Sequence, residues 1–174
     1  MIENPVGVDA PIQMMQQLFI SNLWLNVGTN NKEFNHRVFG INKNGKIRPF
    51  VLIDNTNDYK EVSFSDNKSV LGWFYAYEEL NSYNKRQISR NVDVFFAVNL
   101  NDLYSELRHR TEEEVYRDVQ KVLLMMPSDF EITNIVSGSE AYGIFDNLES
   151  KKINMHPWHV FKFECVVKYQ LNCK

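Results

Sequence analysis

From residue 158 to residue 171 the chain alternates strictly: Phe161, Phe163, Cys165, Val167, Tyr169 and Leu171 fall on one side, and Lys162, Glu164, Lys168 and Gln170 on the other. Only a strand places successive side chains on opposite faces, so this stretch predicts a long antiparallel-type strand with one buried and one solvated face. A second such run, residues 92–100, puts Val92, Val94, Phe96, Val98 and Leu100 on a shared face and reads as a central strand. A chain with two long strands of this kind must build a sheet around them. Hydrophobic residues are 44% of the sequence, enough to cover that sheet with a real core.

Helices are signalled at two places. Asp9 at an N-cap position, Pro11 in the first turn, and Ile12, Met15, Leu18, Phe19 and Leu23 at helical spacing predict a helix ending near residue 25. Thr111 and Glu114 make a capping box, Glu112 and Glu113 sit at the positive end of the dipole, and Val115, Val119, Val122, Leu123 and Met126 form a stripe. That second helix runs to residue 126 and stops at Pro127, Ser128 and Asp129. Between them, Asn44-Gly45 divides two apolar runs and predicts a hairpin. Its second arm, residues 49–54, is nearly all apolar and reads as a strand covered on both faces. Residues 60–64 suggest a small strand, 69–80 an extended segment, 83–91 a loop, 130–136 a strand and 137–139 a turn. The expectation is an α+β fold: an antiparallel-dominated mixed sheet of about four to six strands with two helices packed on one face. It is a single domain over 1–174, with an N-terminal arm at 1–8, a core at 9–171, and long loops at about 55–69, 81–91 and 138–156.

Several chemistries find no residues to carry them. No apolar run approaches the roughly 20 residues that a spanning helix requires, so no membrane partner is expected. Residues 1–5 lack the basic and apolar regions of a secretory signal, so folding in the cytoplasm is the expectation. Cys165 and Cys173 are an unlikely disulfide, and two thiols alone make no zinc site. The histidines are His36, His109, His156 and His159; the last two lie three apart on an extended chain, which points their rings to opposite faces, with no ligand partners at suitable spacing. Neither phosphate-cradling glycine motif occurs, and no G-x-S-x-G is present. Asp54 and Asp93, near or in strands, are the natural acid–base or divalent-metal candidates, but companion carboxylates at short spacing are missing. The net charge of −3 forces no nucleic-acid-binding face. No catalytic residue, cofactor or metal ligand is therefore assigned.

Three basic groups (Lys85, Arg86 and Arg90; Arg108 and Arg110 around His109; Lys151 and Lys152) fall in expected loops and read as solvated surface. Trp73, Tyr75 and Tyr77 sit in a segment whose periodicity fits no template, which leaves room for an exposed aromatic patch. Together with Tyr83, Lys85, Arg86, Arg90, Tyr142, Phe145 and Trp158 they are the candidate protein-interface residues.

The order of elements, an N-terminal helix, a strand at 49–54, a polar excursion, a strand at 92–100, a helix at 111–126 and a closing strand at 158–169, resembles the tail terminator and tail-completion proteins of tailed bacteriophages. The 20 asparagines give the chain a composition similar to proteins of AT-rich phages of gut Bacteroidetes, crAss-like phages among them. The likeness is one of element order and carries no motif. It implies a virion structural protein forming a homo-oligomeric ring, six- or twelvefold, at the head–tail connection, with portal or adjacent ring proteins as partners and DNA passing through the lumen without specific binding. The long 55–91 and 137–156 regions depart from the family pattern. The alternatives are a small metal-dependent nucleic-acid-processing enzyme using Asp54 and Asp93, and a monomeric adaptor module.

Overall fold

A computed structural model describes residues 5–53, 58–63, 67–82, 87–104, 111–126, 129–142 and 156–170. Helix α1 (Asp9–Asn22) is followed by β1 (Lys32–Lys43), β2 (Lys46–Leu52), β3 (Tyr59–Glu61), β4 (Val70–Ala76), β5 (Asn81–Ser82) and β6 (Gln87–Asn99). Then come a single-turn helix α2 (Leu100–Leu103), helix α3 (Thr111–Leu123), β7 (Phe130–Ser137), a 3-10 turn (Gly138–Tyr142) and β8 (Trp158–Gln170). The strands form one sheet in the order β3-β2-β1-β4-β6-β8-β7, with β5 attached to β6. Strands β1 and β4 run parallel, and the other pairings are antiparallel.

The α+β class holds, but among the described residues the sheet has eight strands instead of about four to six. Two strands also run further than expected. Residues 87–91, expected in a loop, extend β6 and pair with residues 166–170 of β8, so Arg90 is a strand residue. Residues 32–37 extend β1 toward the N-terminus. Backbone pairing with a partner that is already extended holds 87–91 in the sheet, and in 32–37 the buried Phe34 adds a core contact to the pairing. Strand β2, expected between two covering layers, is half-buried, because only the three-residue β3 lies beyond it.

Both long helices cover one face, as expected. Ile12, Met15 and Phe19 of α1 and Val115, Val119, Val122 and Leu123 of α3 meet Phe74, Val94, Phe96, Phe161, Phe163 and Val167 of the sheet. Phe96 is the hub: its ring lies 5.0 Å from Phe161, 5.3 Å from Phe19, 6.1 Å from Trp24 and 6.3 Å from Phe34. The N-terminal arm is shorter than expected, since Val8 is buried in this core. Val8 also takes the cap position of α1, leaving Asp9 in the first turn, 3.6 Å from Arg37. The helices end earlier than the apolar pattern does, at Asn22 and Leu123; Pro127 and Ser128 lie outside the described residues.

The Asn44-Gly45 hairpin forms between β1 and β2. Both residues have positive φ, 57° and 78°, as a type I′ turn requires, and Asn42 Oδ1 accepts a hydrogen bond from the Gly45 amide.

The second face is where expectation and structure part. Strand β4 is buried on both sides, which explains why its sequence showed no clear period. The face opposite the helices carries Val38, Leu71, Trp73, Phe95, Ala97 and Val160, covered by Ala141 and Tyr142 of the 3-10 turn. Residues 138–142, expected in a long loop, thus form a lid element. On β8 the side expected to face water is buried at Val160 and Lys162.

Candidate functional site

Strands β6 and β8 bring three charged side chains together on that second face. Asp93 and Glu164 are cross-strand partners, and Lys162 is two residues from Glu164 on the same side. The Lys162 ammonium donates to Asp93 Oδ2 at 2.7 Å and lies 2.8 Å from Glu164 Oε1. The Tyr77 hydroxyl donates to Asp93 Oδ2 at 3.0 Å, and the Asn134 amide donates to Glu164 Oε2 at 3.1 Å. Asp93 is 2% and Lys162 6% exposed, so both charges are out of water and each depends on the other.

The electrostatics follow from that placement. Burial lifts the Asp93 pKa above the usual carboxylate range, and Lys162 and Tyr77 pull it back only in part. For Lys162 burial acts downward, but the two carboxylates outweigh it and hold the ammonium above its ordinary value. The hydrogen bond from Lys162 holds Glu164 below the usual range. Burial and the Asp93 carboxylate push the Tyr77 phenol up, so it is a donor throughout the physiological range. On the opposite face, burial pushes the Cys165 thiol up, which makes it an inert core group. The cation that Asp93 meets is the Lys162 ammonium. The other acid–base candidate, Asp54, lies outside the described residues, and among those described no three metal-ligating side chains cluster.

A second polar group lies at the start of β8. His159 Nε2 and the Tyr116 hydroxyl are 2.8 Å apart, Ser137 hydrogen-bonds the same hydroxyl, and Glu112 stands 3.9 Å from His159 Nδ1. Burial lowers the His159 pKa, with Glu112 opposing, so the fold holds the ring neutral. Below about pH 6.5 the unfolded chain binds a proton that the folded one refuses, and stability must fall with pH by up to about 1.4 kcal/mol per unit. Urea midpoints between pH 7 and pH 5 should show this slope, and His159→Phe should flatten it.

The structure divides the candidate interface residues. Trp73 and Tyr142 are buried and stacked, ring centroids 5.6 Å apart with Phe95 alongside, so they hold the second face together and are not available to a partner. Their aromaticity belongs to a sheet covered on both sides, which the sequence pattern did not reveal. Tyr75 and Tyr77 are half-buried and packed edge to face, 5.1 Å apart, beside Asp93. Arg90 and Trp158 are half-buried on β6 and β8. Tyr83, Lys85, Arg86 and Phe145 lie outside the described residues, as do His109, Arg108, Arg110, Lys151, Lys152 and Cys173.

Sequence reasoning missed two features. Lys162 was assigned to a solvated face; the signal against that was Asp93, an acidic residue inside an apolar strand that had to find a cation. The other feature is an apolar groove of about 220 Å³ on the helix-covered side, where Pro11 and Met14 of α1 face Met126, Phe130, Val167 and Tyr169 beside β7.

No protein-family model matches this sequence, and no curated protein matches it either.

Proposed function

We propose that the chain is a structural subunit that assembles head to tail into a closed ring, in a phage virion at the neck or tail, with the tail-terminator-like element order as the guide to its place. The observation that supports this reading best is the pair of sheet edges. Strand β7 ends the sheet on one side and the short β3, with β2 behind it, on the other. The β2–β3 edge carries exposed Lys46 and Lys60 with Arg48 behind them and Lys43 at the adjoining end of β1, offset by Glu61 and exposed Asp58, whereas β7 and its approach carry exposed Asp129 and Glu131. Unlike edges of opposite charge suit a heterologous contact, which closes into a ring when the rotation permits; a two-fold contact would set like charges against each other. Asp93 supports structure in this reading, its carboxylate being taken up by Lys162 and Tyr77.

Mass photometry of the purified chain over rising concentration, with mass spectrometry of purified particles, tests the reading. It predicts one discrete multiple of the subunit mass and presence in virions. A chain that stays monomeric at high concentration and is missing from particles sinks it and favours the adaptor alternative.

A further inference from the structure

Resting on the ring reading, we infer that the contact between neighbouring copies is the β2–β3 edge of one seated against the β7 edge of the next, with Tyr59 as the knob and the groove beside β7 as the hole. The topology makes the two edges compatible. Counting pairings through the sheet, β3 runs with β1, and β7 runs opposite to it. Copies related by rotation about an axis along the strands therefore bring β3 antiparallel to the neighbour's β7 and keep the helix layers on the same side.

The side chains follow the same alternation. Tyr59 is 47% exposed and touches Phe39 of the helix-covered face, ring centroids 5.7 Å apart. The groove opens on that face, since Phe130 and Val167 in its wall pack on the helix-covered core. An apolar cavity of roughly 150 Å³ admits benzene, so about 220 Å³ receives one phenol ring. On the other side of the sheet, Lys60 pairs with Val51 and Glu131 with Val166, so the contact places the lysine and the glutamate on one face of the joined sheet. A second copy of this chain thus supplies the aromatic knob, the antiparallel edge and the opposite charge together.

The experiment is mass photometry on purified variants, with circular dichroism confirming the fold; Tyr59, Lys60 and Glu131 are all exposed, so substitution leaves the core intact. Tyr59→Ala should raise the concentration of half-assembly by roughly tenfold or more, as loss of an aromatic anchor does. Lys60→Glu and Glu131→Lys should each weaken assembly, and the double variant Lys60→Glu/Glu131→Lys should regain most of it. Rings that form normally in Tyr59→Ala, or a double variant no better than either single one, overturn this contact while leaving the ring intact. A wild-type chain that never assembles overturns the ring reading and this contact with it.

Discussion

Lys162→Ala is expected to cost about 3–5 kcal/mol of stability, because it strands the Asp93 carboxylate in a site that is 2% exposed. The loss would appear as a lower midpoint in urea with little change in slope. The double variant Asp93→Leu/Lys162→Met should behave very differently, near neutral or more stable than wild type, because it removes both desolvation costs at once. The upward shift of Asp93 already says that its burial is not fully offset by its partners. A group shifted this way destabilises the fold at pH values above its unfolded pKa and is relieved as pH falls and it takes up a proton. The Lys162→Ala penalty should therefore shrink in acid. Lys162 itself is shifted up, so its contribution is fully present below about pH 10.5 and is lost as pH rises through its folded value. A single variant that costs no more than an ordinary surface substitution would show the Asp93–Lys162–Glu164 cluster to be dispensable.

Phe96→Ala should be of similar size, about 3–5 kcal/mol, or about 6–20 °C in melting temperature for a chain of this length. Its ring is fully buried and touches α1 through Phe19, β1 through Phe34 and β8 through Phe161 and Phe163. Its neighbours are held on separate elements, which limits their collapse into the cavity. Phe96→Leu keeps most of the apolar burial and should cost less. Differential scanning calorimetry of the two variants separates the loss of packing from a general intolerance of change.

What could be read from the residues depended on whether one face of an element is wet. Helices α1 and α3, the helix-facing side of β6 and β8, and the Asn44-Gly45 turn all carry a local signature, a stripe, an alternation or a positive-φ pair, and each forms there, the two helices ending earlier than their stripes. Strand β4 carries none, because a strand buried on both faces shows no alternation. Residues 87–91 of β6 carry a lone apolar side chain, Ile88, too little to signal a strand, and are extended because β8 continues beside them. The Tyr142 lid is a tertiary fact: a lone tyrosine in a polar stretch gives no sign that it will stack on Trp73 and Phe95. For the same reason two of the aromatic residues expected at an interface, Trp73 and Tyr142, turned out to be core. Tyr59, in a segment read as polar connection, is, among the described residues, an aromatic side chain exposed at an edge.

Electron microscopy of the purified chain, imaged end-on at a concentration where mass photometry shows a complex, tests the central claim most directly. Head-to-tail assembly through unlike edges predicts closed rings with rotational symmetry and a central opening. Two-fold dimers, or single particles at every concentration, would contradict it.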